Sequence, residues 1–151
     1  MTGVQTCALP IWVIPDFLKQ VLADYKIEGG KFHIAGPSNG GIASFHVAAT
    51  YPQYFVSVTA FPGYMWEPSV AKLDAISKMC VFAYVGEHDE YRWHREMQRE
   101  VEYLRNKGAV ASYSEERGQP HRIETLAGAN ASRLFDGFER ARKGCVAGRA
   151  S

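Results

Sequence analysis

Residues 31–41 read Lys-Phe-His-Ile-Ala-Gly-Pro-Ser-Asn-Gly-Gly, and this stretch decides the fold. Lys31 to Ala35 is a short apolar-rich run with Gly29-Gly30 before it and Gly36 after it, the pattern of a strand between breakers. Asn39 to Thr50 follows as a helix with Ile42, Phe45, Val47 and Ala49 for burial, and Pro52 closes it. The turn between strand and helix carries a G-x-S-x-G pattern, Gly36-Pro37-Ser38-Asn39-Gly40. So tight a turn holds the serine in a strained backbone conformation and lifts its hydroxyl clear of the sheet. Side chains at positions 36 and 40 are expected to collide with neighbouring backbone, so both carry glycine. The helix behind Ser38 points its free N–H groups toward the serine, which favours a negative charge there.

Outward from this turn, helical and strand patterns alternate in short units. Pro15 suits a first helical turn, and Leu18, Val21, Leu22 and Tyr25 follow at i, i+3, i+4, i+7 spacing up to Gly29-Gly30. Val56 to Ala60 reads as a strand with Phe61-Pro62-Gly63-Tyr64 as its exit loop, and Val70 to Lys78 reads as a modest helix. Cys80 to Val85 is a continuous apolar run suited to a strand buried on both faces. A helix is predicted from about Tyr91 to Asn106, a fourth strand over Ala109 to Ser114, and a final helix from Arg122 to Lys143. Strands alternating with helices of this length predict an α/β protein with a mostly parallel sheet of about four strands, covered by helices on both faces.

Composition agrees with a globular chain and excludes several function classes. The chain has 151 residues, 46% of them hydrophobic and 22% charged, with 17 Lys plus Arg against 16 Asp plus Glu. A net charge of +1 with no block of like charges gives no reason to expect nucleic acid or a membrane as partner. No apolar run approaches the ~18 residues of a membrane-spanning helix. Cys7, Cys80 and Cys145 are too few and too scattered for a disulfide framework or a zinc site. Cys80 is expected to pack as a small hydrophobe and Cys145 to be a free thiol. The first eleven residues, MTGVQTCALPI, carry no charge and neither helical nor strand periodicity. Thr2 to Ile11 is also a translation of a common short-read sequencing adapter. The expectation is therefore that residues 1–11 are adapter-derived, that native sequence begins near Trp12, and that 12–143 form one domain with a disordered tail over 144–151. Localisation is not legible from such an N-terminus; cytoplasmic is only the default.

The partners that a reactive serine needs are present in order. A serine nucleophile requires a base, and the base requires an orienting acid. Asp89 lies just past the buried strand, in Gly86-Glu87-His88-Asp89, and His121 follows the last strand in Gly118-Gln119-Pro120-His121. Glu87 and Glu90 sit in the same loop as Asp89 and compete for the acid's role. The other histidines, His33, His46, His88 and His94, lack the required position, and His88 with His94 makes no metal-binding spacing, so neither a metal nor a cofactor is expected. Phe61, Tyr64, Trp66, Tyr91 and Trp93 fall in or just after loops at the strand C-terminal ends, where they are candidates to line a substrate pocket or to serve as packing.

On these residues, 12–143 resembles the C-terminal part of an α/β-hydrolase, close to the compact esterase and dienelactone-hydrolase-like branches. The resemblance implies Ser38 as nucleophile, Asp89 as orienting acid, His121 as general base, the Asn39 backbone N–H as one oxyanion donor, and Gly36 and Gly40 as the glycines of the nucleophile elbow. It implies an esterase acting on a small-molecule carboxylic ester through an acyl-enzyme, with a thioesterase or a prolyl-oligopeptidase-like peptidase as the alternative. The family's early strands and second oxyanion donor have no counterpart in these residues, so an incomplete enzyme is expected. The short intervals between Ser38, Asp89 and His121 imply an open site without a large lid. A nucleotide-binding module is the reading from another class, but it wants G-x-G-x-x-G and an acid ~20 residues on, and position 38 is serine. A catalytically dead hydrolase fold is disfavoured by the intact Ser, Asp and His. Specificity and oligomeric state are not legible.

Overall fold

A computed structural model of the chain describes residues 11–144; the expected adapter segment up to residue 10, with Cys7, and the tail from Cys145 lie outside the described residues. The elements in chain order are α1 (Ile14–Asp24), β1 (Phe32–Gly36), α2 (Asn39–Thr50), β2 (Phe55–Ala60), α3 (Val70–Ile76), β3 (Cys80–Gly86), α4 (His94–Asn106), β4 (Ala111–Glu116) and α5 (Ser132–Arg142). The four strands form one parallel sheet in the order β1-β2-β3-β4. Among the described residues, β1 and β4 are the two edges.

The run expected to be buried on both faces is buried at every position, from Cys80 to Gly86. Its alternate residues feed two different layers, as the two-residue period of a strand requires. Cys80, Phe82 and Tyr84 meet Leu134 and Ala141 of α5 together with Ile123 and Leu126. Ala83 and Val85 meet Met97 and Val101 of α4, while Val81 joins Phe45, Ala48, Val58, Ile76 and Leu104 under α2 to α4. Cys80 is fully buried, as expected, and it is also disulfide-bonded, which the reading of it as a small packing hydrophobe did not include.

Several boundaries move, three of them for a plain local reason. The fourth strand starts at Ala111 rather than Ala109 because the Ala109 N–H closes the end of α4 on the Leu104 carbonyl at 3.0 Å, beside a Gly108 bond to Arg105. This two-bond cap, with Gly108 at φ 82°, is the Schellman arrangement. α4 begins at His94 rather than Tyr91 because residues 89–92 form a turn, closed by the Arg92 N–H on the Asp89 carbonyl, with Arg92 at φ 56°. The final helix covers only Ser132–Arg142; the chain before it makes two short 3-10 turns, Glu124–Leu126 and Gly128–Ala131, with Gly128 at φ 56°. One of these turns still buries Leu126, beside buried Ile123, so the apolar spacing was real although its helix was not.

Truncation of the sheet's central ring should be costly and truncation at the surface should not. Phe82 is 1% exposed, and its removal by Phe82→Ala is expected to cost about 3–5 kcal/mol in urea unfolding. Phe17→Ala, at a side chain 63% exposed, should change stability by no more than about 0.5 kcal/mol.

Candidate active site

The register levels the strand ends, with Gly36 beside Ala60 and Ala60 beside Ala83, while β3 and β4 run on to the pair Gly86–Glu116. The loops after β1, β3 and β4 therefore open at one edge of the sheet. Ser38 stands between β1 and α2 at φ 53° and ψ −123°, a conformation that costs a non-glycine residue about 1–3 kcal/mol and persists only where its surroundings fix it. The surroundings are backbone. A β-carbon on Gly36 would lie 2.5 Å from the carbonyl carbon of Gly40, and one on Gly41 would lie 2.5 Å from the Pro62 carbonyl oxygen. Gly40 itself does not need to be glycine for space: a β-carbon there meets only the Pro37 ring, at 3.4 Å. The expected collision at both flanking positions thus exists at Gly36 and at Gly41, which the G-x-S-x-G pattern does not mark.

Three distant side chains meet at this edge. The His121 Nε2 lies 2.8 Å from Ser38 Oγ, and its Nδ1 lies 3.0 Å from Asp89 Oδ2. A carboxylate only accepts, so Nδ1 carries the hydrogen that it donates to Asp89, and the Nε2 of the neutral ring accepts from the Ser38 hydroxyl. The Asp89 side chain is fully shielded from solvent and that of His121 nearly so, at 0% and 14% exposure. The other Asp89 oxygen accepts from the Tyr91 N–H at 2.8 Å. The rival acids are engaged elsewhere. Glu87 accepts from the Gly118 N–H at 2.7 Å and Glu90 from the His121 N–H at 3.2 Å. Two backbone N–H groups, its own and that of His121, hold the exposed Glu90 carboxyl below its usual range.

These two glutamates, together with the His88 N–H on the Gln119 carbonyl at 2.8 Å, lace the loop after β3 to the loop after β4. Gly86 permits the contact, since a β-carbon there would sit 2.1 Å from the Pro120 carbonyl oxygen. None of this lacing was legible in the sequence; a glycine closing an apolar strand was the one available signal. At the start of α2 the Gly40 and Gly41 N–H groups bond to the Pro37 and Ser38 carbonyls, while the Asn39 N–H has no backbone acceptor among the described residues.

The five aromatic residues expected around the site divide. Phe61 lines a cleft of about 340 Å³ together with Pro37, Ser38, Pro62, His121 and Ile123, and Leu126 closes it. Tyr91 and Trp93 do not line the cleft; they stand edge-on against the His121 ring at 4.6 and 4.8 Å between centroids. Tyr64 and Trp66 line a separate hollow. The cleft's other apolar walls, Pro62, Ile123 and Leu126, were missed, because 122–131 reads as helix in the sequence but folds as turns that bring Ile123 and Leu126 over Ser38. Among the described residues, no three His, Cys, Asp or Glu side chains group as metal ligands.

Residues 13–136 match the family model described as "Putative esterase". Among solved structures the chain is similar to a thermostable esterase at 18% identity and TM-score 0.64, covering 86% of this chain and 34% of that one. It is similar to acyl-protein thioesterase 2 of Zea mays at 12% identity and TM-score 0.59, covering 94% and 70% respectively. It is also similar to P91, a dienelactone hydrolase-like promiscuous phosphotriesterase from metagenomic libraries, at 16% identity and TM-score 0.61, covering 83% and 56%. The chain thus spans about a third of the first of these structures and just over half of the last. No curated protein matches it.

The unequal glycines make a direct prediction. Gly36→Ala should leave the chain unfolded or lower its melting temperature sharply, because the atoms in the way are backbone that cannot move aside. Gly40→Ala should be neutral or stabilising by up to about 1 kcal/mol, the usual gain of alanine over glycine in a helix. Paired thermal melts followed by circular dichroism would measure both.

Proposed function

This chain belongs to the putative esterase family, on the fold of the α/β-hydrolase superfamily, and from that premise we propose that it cleaves carboxylic esters through an acyl-enzyme formed on Ser38. The observation that carries the reading is the hydrogen-bonded run Ser38–His121–Asp89, assembled across sequence separations of 83 and 32 residues. In this reading the Nε2 of His121 takes the Ser38 proton as Oγ attacks the ester carbonyl. Asp89 steadies the imidazolium that results. The proton then passes to the departing alcohol, and water repeats the sequence to release the acid.

The negative charge on the carbonyl oxygen needs donors that are already in place. The Asn39 N–H, at the start of α2 and without a backbone acceptor, is assigned as one of them. The resemblance to the family puts the second donor ahead of the strands described here, so this reading assigns only the first. The cleft beside Ser38 has Phe61, Pro62, Ile123 and Leu126 as walls and a volume of about 340 Å³, which suits a short to medium apolar acyl group. Tyr91 and Trp93 act in this reading as positioning residues: their edges fix the plane of the imidazole so that both nitrogens face their partners.

A fluorophosphonate probe tests the assignment without requiring full turnover. The chain should be labelled at Ser38, Ser38→Ala should not be labelled at all, and Asp89→Asn should slow labelling by several orders of magnitude, toward the ~10⁴ typical of losing the orienting acid. Labelling that persists in Ser38→Ala would sink the reading. Turnover of a matched panel of p-nitrophenyl esters, acyl thioesters and peptide anilides would then separate ester hydrolysis from the thioesterase and peptidase alternatives, with esters expected to be fastest.

A further inference from the structure

The loop after β2 is held to the α4 region at two neighbouring points, and a hollow of about 640 Å³ lies beside them, lined in part by Tyr64, Met65, Trp66, Glu100 and Tyr103. Trp93, just ahead of the helix, meets the Tyr64 ring edge-on at 5.2 Å between centroids. On the helix itself, Glu100 Oε2 accepts from the Met65 N–H at 2.8 Å. Holding a loop in this way is costly to the fold. The Glu100 Oε1 is shut off from solvent without a hydrogen-bond partner among the described residues, and burial pushes the carboxyl up to about 7. An apolar side chain of similar size would carry neither cost.

What a hydrogen bond supplies and apolar packing does not is direction. Met65 is 2% exposed and packs in the core with Ile76 and Leu104, which seats its side chain without fixing how the backbone beside it is turned. The bond to Glu100 sets the tilt of the peptide between Tyr64 and Met65, and with it the bearing of the Tyr64 ring. From that ring the contacts run on, since Tyr64 abuts Trp93 and Trp93 abuts the His121 imidazole at 4.8 Å. The other end of the loop is fixed differently. A β-carbon on Gly63 would lie 2.6 Å from the Gly41 Cα, so Pro62 and Gly63 are held by close backbone contact with α2.

We propose that Glu100 is a positioning residue for His121, acting from α4 through the Met65 peptide, Tyr64 and Trp93. The inference rests on the assignment of His121 as the base for Ser38. Glu100 holds the ring column against which the imidazole is squared. The cleft walls Phe61 and Pro62 precede Gly63 and are anchored without Glu100, so its loss acts on the chemical step and spares binding.

The test is inactivation by a fluorophosphonate, with kinact and KI determined separately. Glu100→Met keeps the length of the side chain and removes the acceptor; it should lower kinact about tenfold and leave KI within about twofold. Glu100→Gln retains an oxygen for the Met65 N–H and should restore kinact to near its original value. At pH 8, where the buried carboxylate is most costly, Glu100→Met should melt within about 4 °C of the unaltered chain, so that lost folding does not account for the slower reaction. Glu100→Ala takes its place if it fails to fold. Tyr64→Leu should also lower kinact, and combining it with Glu100→Met should add little, because both break one line of contacts. The ring geometry is read independently of Ser38 by ¹⁵N NMR: the Trp93 indole and His121 imidazole resonances should move in Glu100→Met and stay in place in Glu100→Gln. An unaltered chain that takes no label counts against the Ser38 reading and leaves the NMR comparison to decide this one. Unmoved resonances, an unchanged kinact, a loss confined to KI, or independent losses from Glu100→Met and Tyr64→Leu would overturn the proposal.

Discussion

The structure depends on one close approach of backbone to backbone. Where β1 becomes α2, Gly36 lies so near the Gly40 carbonyl, and Gly41 so near Pro62, that a β-carbon at either place would overlap main-chain atoms. That contact fixes Ser38 at a positive φ that an L-residue otherwise avoids. It also seats the first turn of α2 on the exit loop of β2, which sets where the sheet's C-terminal edge opens. The strain at Ser38 is held because neighbouring backbone leaves the chain no relaxed alternative.

A second constraint brings the remote side chains to that edge. β3 is buried from end to end, so its position is set by packing on both faces, and β4 follows it in register to the pair Gly86–Glu116. Beyond that pair, the loops of Asp89 and His121 are tied by hydrogen bonds from Gly118 to Glu87, from His88 to Gln119 and from His121 to Glu90. The three residues that flank Asp89 thus hold the loop of its partner, which leaves Asp89 itself free to meet the imidazole. Glu116, at the end of β4, anchors the other side through a two-pronged contact with Arg133 of α5 at 2.7 and 2.9 Å. The folded frame and the site's geometry therefore rest on the same few loop contacts.

The hollow beside α4 shows the same economy of placement. Glu100 caps the Met65 N–H in the loop after β2, while its second oxygen is buried without a hydrogen-bond partner among the described residues. Residues of the loop after β2 and of α4 together line this hollow.

Much of this protein was legible without coordinates because the signals are local. The alternation of strand and helix, the two-faced burial of Cys80 to Val85 and the glycine-flanked turn at Ser38 each follow from periodicity or from backbone freedom over a few residues. The loop positions of Asp89 and His121 follow from strand order. The choice of Asp89 over Glu87 and Glu90 was not local: all three carboxylates share one loop, and only the folded chain decides which reaches the imidazole and which bind backbone. The same holds for Ile123 and Leu126, whose helical spacing is equally served by a 3-10 turn, and for Tyr64 and Trp66, which sequence order places near Phe61 but which turn away from it. Local chemistry determined which elements form and what kinds of group they present. Tertiary structure alone decided which groups meet, because contacts across dozens of residues depend on packing and loop-to-loop hydrogen bonds that leave no periodic trace in the chain.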